Sequence, residues 1–298
     1  MDENDFIAAL RPLSGPGAFE LMDDAAVLQP RQNAGVVVSS DTMVEGVHFP
    51  NNRRGGGFSE RLLRTALSDL AAKAALPIGY VLNVSWPVGT DPHWFSGFIR
   101  GLSETQAAFG CYLIGGDTTS TSGPLVASVT VFGAMQSPTF LSRSGANIGD
   151  HIYVSGRLGL AAMGLKIVLG ETVTLSAEDF AAAEEAYLRP VPRFDLVDIL
   201  SRFATSACDI SDGLIRDASH LANASGARFD LGASFVPDPD AGDDYEVLFT
   251  APAREHKDVM AQARRDGVRL THCGKVLPGE GVSVDGEPVQ PSGYAHRF

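Results

Sequence analysis

Hydrophobic and polar positions in the N-terminal part of the chain follow two different periods. β-Branched residues in 35–40 predict a buried strand, after which Asp41 begins a polar loop. From Ser59 onward, leucines and alanines recur at helical spacing, which predicts a helix that carries Asp69 and ends before Pro77. Further strands are predicted at 80–86, 111–114 and 125–132, a second helix at 93–109, and a sharp turn at 115–117. The pattern indicates an α+β unit.

The pattern changes near residues 136–138, where we place a domain boundary. The chain then divides into an N-terminal α+β domain, 1–136, and a C-terminal α/β domain, 137–298. In the second domain a strand is predicted at 151–154, and a helix begins after Ser176 and stops before the prolines of 189–192. Another helix covers 194–203. Residues 207–213 then form a strand-to-helix turn of the kind that presents backbone N–H groups to phosphate.

Composition narrows the functional class. The chain has 298 residues, of which 44% are hydrophobic and 20% are charged, as is typical of soluble globular proteins. A net charge of -13 opposes binding to nucleic acid and to anionic membranes. The acidic N-terminus does not resemble a secretory signal, and no stretch approaches the ~20 apolar residues of a membrane span. Three scattered cysteines argue against a disulfide framework and a cysteine zinc site, so we expect a cytoplasmic protein.

Six short acidic segments carry the candidate chemistry. They are DDAAV (23–27), SSDT (39–42), LSDL (67–70), IGGDTT (114–119), DISDG (209–213) and GDDYE (242–246). Any one of them is equally well explained as a turn or a helix N-cap. Together they favour a site for several Mg2+ ions, because Mg2+ takes one or two carboxylates together with substrate phosphates. Other phosphate-binding and hydrolytic motifs are absent: Gly274-Lys275 is followed by Val276, so the chain has no Walker A loop.

These segments, with SSDTMVEGVHF (39–49), LSRSGA (141–146), DISDGL (209–214) and DYEVLFT (244–250), resemble the thiamine-monophosphate kinases. The match runs in family order from about Phe6 to the C-terminus. It implies a fold like that of aminoimidazole ribonucleotide synthetase, with an N-terminal domain that pairs into a homodimer. The implied reaction transfers the γ-phosphoryl group of ATP to thiamine monophosphate and gives thiamine diphosphate.

The resemblance also implies roles for individual residues. The residues implied to share several Mg2+ ions are Asp24, Ser39, Ser40, Asp41, Asp69, Asp117, Asp209 and Asp212. The residues implied to contact ATP are Gly116, Asp117, Arg143 and Ser211. The residues implied to hold thiamine monophosphate are His48, Glu246 and Tyr294. No catalytic base is assigned, because the acceptor is a phosphate monoester that is already mostly ionised at neutral pH, with a second pKa of about 6.

Two alternatives remain open from the sequence. A same-fold enzyme could use ATP and Mg2+ on another acceptor, as aminoimidazole ribonucleotide synthetase, selenophosphate synthetase and a hydrogenase-maturation protein do. A non-catalytic nucleotide-binding regulator is the second alternative, because Met22 replaces the usual Gly and the stretch 231–241 is short. The complete set of aspartates weighs against the regulator, because clustered carboxylates without a cation repel one another.

Overall fold

The chain folds into two compact units. The computed structural model describes residues 3–22, 26, 28, 35–51, 56–236, 241–291 and 293. Unit 1 comprises Met1–Leu70 and Leu76–Met135, whereas unit 2 comprises Ala71–Ala75 and Gln136–Phe298. The short segment Ala71–Ala75 therefore belongs to unit 2 although its neighbours in sequence belong to unit 1. Within the described part of the chain, no helix is long and apolar enough to cross a membrane.

In its described residues, unit 1 combines a four-stranded sheet with three α-helices. Its elements are α1 (Glu3–Leu10), β1 (Val36–Val44), α2 (Gly56–Ala72), β2 (Ala75–Pro87), α3 (Pro92–Phe109), β3 (Leu113–Thr121) and β4 (Val126–Met135). The strand order is β1-β4-β2-β3, in which β1 and β4 are antiparallel and β2 and β3 are parallel. The leucines of α2 are fully buried, as their helical spacing predicts. The aromatic rings of Phe6, Trp86, Phe95 and Phe98 pack together in the same unit.

All four strands of unit 1 extend further than the sequence predicts, and in β1 and β3 the extension includes candidate site residues. β1 continues through Asp41 to Val44, because pairing with β4 is unbroken from Asp41↔Val129 to Val44↔Val126. The sharp turn predicted at 115–117 is wrong, since these residues lie inside β3 and pair with β2. A Cβ atom on Gly116 would lie 1.8 Å from the Leu82 carbonyl oxygen. The glycine thus permits close approach of two strands rather than a change of direction.

Unit 2 is built on a seven-stranded mixed sheet. Its elements are β5 (His151–Ser155), α4 (Leu160–Val168), α5 (Ala177–Leu188), α6 (Val197–Phe203), β6 (Ser206–Ile210), α7 (Leu214–Ser225), β7 (Arg228–Leu231), β8 (Glu246–Ala251), α8 (His256–Arg265), β9 (Leu270–Leu277), β10 (Gly281–Val284) and β11 (Glu287–Val289). The strand order is β11-β10-β7-β9-β5-β8-β6. Ser176 caps α5 by accepting a hydrogen bond from the Asp179 N–H, which confirms the predicted helix start.

Alternation along the strands of unit 2 divides its core into two apolar clusters. Ile152 and Leu248 pack with residues of α7, whereas Tyr153 and Phe249 pack with residues of α6 and α8. Ala72 and Ala74 of the segment Ala71–Ala75 belong to the second cluster. Beside them, the Lys73 Nζ donates a hydrogen bond to the Ala207 carbonyl oxygen at 2.5 Å. The segment is thus an integral part of the unit 2 core.

Candidate functional site

Three of the predicted metal ligands converge in unit 1. Ser39 and Asp41 project from the same face of β1, and Asp69 projects from α2. The Ser39 hydroxyl donates a hydrogen bond to Asp69 Oδ2 at 2.5 Å. Burial and the nearby Asp69 carboxylate raise the pKa of Asp41 to about 6, although a hydrogen bond with Thr65 acts in the opposite direction. Two mutually repelling carboxylates beside a hydroxyl form an oxygen-rich set that suits a hard divalent cation.

Ser40 is not brought into this group. It alternates to the other face of β1, where its hydroxyl lies 2.9 Å from Thr130 Oγ1 on β4. A matching pair on the same face joins Thr42 Oγ1 to Ser128 Oγ at 2.7 Å. The period of two along a strand therefore separates Ser40 from Ser39 and Asp41.

Gly116 and Asp117 lie on β3, at the far side of the unit 1 sheet. Asp117 is exposed and pairs with Asn83 of β2, and two strands separate β3 from β1. A cavity of about 570 Å³ adjoins this stretch of strand. It is lined mostly by apolar side chains of α1, β2 and β3, together with residues 115–118. Asp117 thus borders a cavity of unit 1, on a strand that is not adjacent to the one carrying Asp41.

His48 lies in the tight turn that follows β1. Its Nδ1 accepts a hydrogen bond from the Val44 N–H at 3.0 Å, and the side chain is half-buried. In the same turn, buried Glu45 accepts a hydrogen bond from the Leu125 N–H at 3.1 Å. These bonds fix the orientation of the His48 ring relative to β1.

The loop between β6 and α7 in unit 2 gathers three more candidates, Asp209, Ser211 and Asp212. Asp209 is buried near the end of β6, and both Ser211 and Asp212 are half-buried. From the sequence we expected the backbone N–H groups of residues 211–213 to be open to a phosphate. In the structure they are occupied by another group. All three donate to Oδ2 of Asp217, at 3.0, 3.1 and 3.1 Å. An internal carboxylate thus occupies the anion position that this strand-to-helix turn creates.

The electrostatics of this loop reflect its crowded acids. Burial, followed by the charge of Asp212, raises the pKa of Asp217 to about 7, although the three backbone hydrogen bonds lower it. Asp212, Asp217 and His220 each offer an atom within 4.8 Å of the others. Burial lowers the pKa of His220, and so does the positive charge of the exposed Arg143. Arg143 is therefore near this loop, where its guanidinium can neutralise phosphate oxygens.

Glu246 at the start of β8 is held by neighbours within unit 2. Arg193 Nη1 donates to Glu246 Oε2 at 2.5 Å, the Ser155 hydroxyl donates to the same oxygen, and Arg193 also binds Asp195. The side chains of Arg193 and Glu246 are only 11% and 16% exposed. Burial raises the pKa of Glu246, whereas Arg193 and Ser155 lower it. The carboxylate is thereby fixed in place by a buried ion pair.

Two predicted site residues, Asp24 and Tyr294, lie outside the described residues. Gly293, which precedes Tyr294, packs closely on the loop after β6, because a Cβ atom there would lie 2.3 Å from the Asp212 carbonyl oxygen. Three parts of unit 2 that are separate in sequence therefore meet near Asp212: Gly242, the segment 212–220 and Gly293.

Sequence reasoning gave no role to three residues that organise this region: Arg193, Asp217 and Asp244. Asp244 accepts hydrogen bonds from the Gly159 N–H at 2.8 and 2.9 Å and so caps α4. Its partner is distant in sequence, so no local pattern identifies it. For Asp217 a signal did exist, since an acidic residue in the first turn of a helix favours interaction with the free N–H groups there.

Comparison with known proteins places this geometry in context. Residues 22–135 match the family model described as AIR synthase related protein, N-terminal domain. A thiamine-monophosphate kinase of Caulobacter vibrioides is 41% identical over 99% of this chain and 90% of its own length. The crystal structure of a thiamine-monophosphate kinase from Stenotrophomonas maltophilia K279a superposes with a TM-score of 0.83 at 37% identity, covering 96% of both chains. The structure of AaThiL complexed with AMPPCP and TMP has a TM-score of 0.79 at 28% identity, covering 92% of this chain and 91% of its own.

Proposed function

Because the chain belongs to the thiamine-monophosphate kinase family, we propose that it transfers the γ-phosphoryl group of ATP to thiamine monophosphate and releases thiamine diphosphate. The observation that carries this function is the match to a thiamine-monophosphate kinase, which is 41% identical over 99% of this chain. The solved relative with both AMPPCP and TMP bound supports both substrates, since AMPPCP is an analogue of ATP. The aminoimidazole ribonucleotide synthetase-like fold predicted from the sequence is confirmed. The alternatives with another acceptor or without catalysis are not favoured.

The chemistry asks for positioning and charge neutralisation rather than a covalent nucleophile. Phosphoryl transfer passes through a loose transition state in which attacking and leaving oxygens lie in line. The acceptor phosphate, with a second pKa of about 6, is already a competent nucleophile at neutral pH. The protein therefore needs to hold two phosphate chains end to end and to offset their negative charge.

Among the residues that we assign to Mg2+, Ser39, Asp41 and Asp69 converge in unit 1. Their oxygen-only donor set fits this ion, and the raised pKa of Asp41 marks a surplus of negative charge that a cation would relieve. Mg2+ bound here would neutralise phosphate oxygens of ATP. The remaining members of the assigned metal set are Asp24, Ser40, Asp117, Asp209 and Asp212. Among these, the exposed face of Ser40 is the least suited to the same ion as Asp41.

For ATP we assign Gly116, Asp117, Arg143 and Ser211. Arg143 supports this assignment because it is an exposed cation near the acidic loop after β6. The Ser211 N–H is engaged by Asp217, so Ser211 would contact phosphate through its hydroxyl. Asp217 itself would keep the loop in a single conformation for nucleotide binding.

For thiamine monophosphate we assign His48, Glu246 and Tyr294. The thiazolium of the substrate is a cation, and a carboxylate held rigidly by Arg193 and Ser155 is suited to face it without rearranging. Glu246 also shapes its surroundings, because a Cβ atom on Gly156 would lie 1.7 Å from Glu246 Oε1. The glycine is therefore required for Glu246 to adopt this position.

We further propose a homodimer that works in the cytoplasm. On β1, Val36 and Val38 are 40% and 55% exposed, which leaves apolar surface on unit 1 for a second copy. All three cysteines are buried and unpaired, as in proteins of a reducing compartment. Light scattering at micromolar concentration tests the dimer, and a monomeric mass would contradict it.

The direct test of function is an incubation with ATP, Mg2+ and thiamine monophosphate, followed by chromatography for thiamine diphosphate. We expect product that disappears when EDTA removes the metal, and we expect Asp69→Asn to lower kcat by at least about 10²-fold. Glu280→Gln, at an exposed turn after β9, is the matched control and should retain full activity. ATP consumption that is no faster with thiamine monophosphate than without it would overturn the proposal.

A further inference from the structure

Three histidines converge in unit 2, and none of them is among the residues assigned above. His151 begins β5, His272 lies on β9, and His256 begins α8. The ring of His151 stacks on that of His272 with centroids 4.2 Å apart, and each lies 5.3 Å from the ring of His256. One ring nitrogen from each histidine lies within 4.8 Å of the other two. Three separate elements thus bring three nitrogen ligands to one point.

The arrangement of the strands explains why the rings meet. β5 and β9 are antiparallel, and Tyr153 lies opposite His272 while His151 lies opposite Lys275. A shift of register between Ile152 and Tyr153 inserts an extra residue into the β9 side of this pairing. With this register, the ring of His151 stacks on the ring of His272. His256, in the first turn of α8, is the third member of the cluster.

The hydrogen bonds of these rings leave nitrogens available. Nδ1 of His151 and Nε2 of His272 are buried and have no hydrogen-bond partner within the described part of the protein. Nδ1 of His256 lies 3.0 Å from the Tyr153 hydroxyl, and His272 is hydrogen-bonded to the Gly274 backbone. Metal-binding histidines commonly use one ring nitrogen for the ion and the other for such a support. Two buried nitrogens without partners cost free energy that a bound cation would recover.

Burial and local charges lower the pKa of two of the three histidines, His151 and His272. Burial lowers the pKa of His151 and of His272, and the neighbouring histidines and Lys275 lower both further. Asp150 acts in the opposite direction on His151, and the Gly274 hydrogen bond does so on His272. Burial also raises the pKa of Tyr153 to about 12, so its phenol remains protonated beside His256. These lowered pKa values favour the neutral imidazole, which has a free lone pair, at His151 and His272.

We propose that His151, His256 and His272 form a binding site for a late first-row transition-metal cation, with Zn2+ as the first probe. Three imidazoles and an open fourth position for water form a known donor set for Zn2+, whereas Mg2+ prefers oxygen. Zn–N bonds of about 2.0–2.1 Å require the three rings to close inward, which side-chain rotation at a half-exposed position allows. The bound ion joins β5, β9 and α8, so its effect is to stabilise unit 2.

The experiment uses the full chain, stripped of metal with a chelator and returned to excess Mg2+ so that oxygen sites are filled. Zn2+ is then titrated by calorimetry into the parent protein, into His256→Gln and His272→Gln, and into His93→Gln as the matched control. His93 is an exposed histidine on α3, far in sequence from the cluster. We expect one equivalent of tight binding that the two cluster variants lose and the control keeps. Equal Zn2+ stoichiometry in the parent and in both cluster variants would overturn the proposal.

Two further readouts separate metal binding from a purely structural role. Co2+ should give an intense visible spectrum, as expected for four-coordinate geometry, in the parent and in His93→Gln but not in His272→Gln. Tyr153→Phe preserves the packed ring and removes only the hydroxyl that supports His256, so it should weaken Zn2+ binding by about tenfold. If His272→Gln fails to fold, an unchanged Zn2+ affinity in Tyr153→Phe, together with no tetrahedral Co2+ spectrum in the parent, counts against the site. None of these readouts depends on kinase activity.

Discussion

At the scale of single residues, one carboxylate oxygen organises the loop between β6 and α7. Asp217 is buried and accepts the N–H groups of residues 211–213. Its side chain therefore satisfies donors that would otherwise be left at a helix start. The consequence is that the acidic sequence DISDG is held by an acid outside the motif.

Replacing Asp217 should destabilise the protein more than replacing any exposed acid of the same loop. Asp217→Ala leaves three N–H groups without their acceptor, and we expect a loss of about 3 kcal/mol in the free energy of unfolding. Asp217→Asn keeps one oxygen acceptor and should lose about 1 kcal/mol. Urea denaturation measures both changes. Asp212→Ala is the control: it removes a partly exposed ion pair with Arg216 and relieves repulsion with Asp217, so the loss should be below about 1 kcal/mol.

Asp41 should make stability depend on pH when divalent cations are absent. Its pKa is raised from 3.8 to about 6, so the folded state holds a proton that the unfolded state has released within this window. Stability contributed by this group is therefore present at low pH and is lost as pH rises through about 6. Asp41→Asn removes the repulsion with Asp69 and should raise the melting temperature at pH 8 in EDTA, while abolishing activity.

The control for Asp41 is Glu280→Gln, which changes an exposed acid at a turn. It should leave the melting temperature unchanged at every pH. With saturating Mg2+, the advantage of Asp41→Asn over the parent should shrink or reverse, because the parent alone retains the full ligand set. An Asp41→Asn variant that melts below the parent in EDTA at pH 8 would contradict the electrostatic account.

At the scale of elements, Gly116 sets how closely β2 and β3 approach. Gly116→Ala would place a methyl group 1.8 Å from the Leu82 carbonyl oxygen, so the strands must separate. We expect a loss of about 3 kcal/mol or more, measured by thermal or urea unfolding. Gly115→Ala is the matched control, since nothing lies within 4 Å of a Cβ atom there, and it should be nearly neutral. Equal stabilities for the two variants would refute the close-approach explanation.

Helices with a regular apolar spacing were predictable from the sequence. The ends of strands, which depend on pairing with neighbouring strands, were not. The helices α2, α3 and α5 follow from apolar spacing and, for α5, from the Ser176 cap. The extension of β1 past Asp41 and the inclusion of Gly116 in β3 depend on register with β4 and β2, which local sequence does not record. α4 was not predicted, because it is short and the residue before it, Gly159, has no side chain that could cap the helix. Its position depends on packing against α5 at Gly164.

The same limit applies to the candidate site. The acidic segments and the resemblance identified Ser39, Asp41 and Asp69, which the fold brings together. Alternation along β1 then separates Ser40, and the ion pair of Arg193 with Glu246 joins residues distant in sequence. Pairings across the fold, rather than residue types, account for what the sequence could not provide.

At the scale of the whole molecule, unit 2 is not continuous in sequence. Ala72 and Ala74 lie in its core, Lys73 bonds to the Ala207 carbonyl, and the Gln136 N–H donates to the Ala74 carbonyl at 3.2 Å. Residues 136–298 expressed alone lack these contacts. We expect this fragment to melt at a lower temperature than unit 2 does within the full chain, as measured by calorimetry.

A nicked protein provides the matched control for that fragment. A protease site placed between residues 135 and 136 breaks the chain but keeps Ala71–Ala75 present, so the nicked protein should retain the unit 2 transition. A fragment 136–298 that melts with the full-chain transition would show that the segment contributes little.

The segment Ala71–Ala75, which precedes the rest of unit 2 in sequence, also has a consequence for synthesis of the protein. A ribosome adding about 5–20 residues per second needs roughly ten to forty-five seconds to synthesise the rest of the chain after this segment has been made. During that interval the segment cannot pack, because the residues that form the core around it have not yet been synthesised. The segment consists of four alanines and Lys73, so before the core forms it exposes little apolar surface to chaperones or to neighbouring chains.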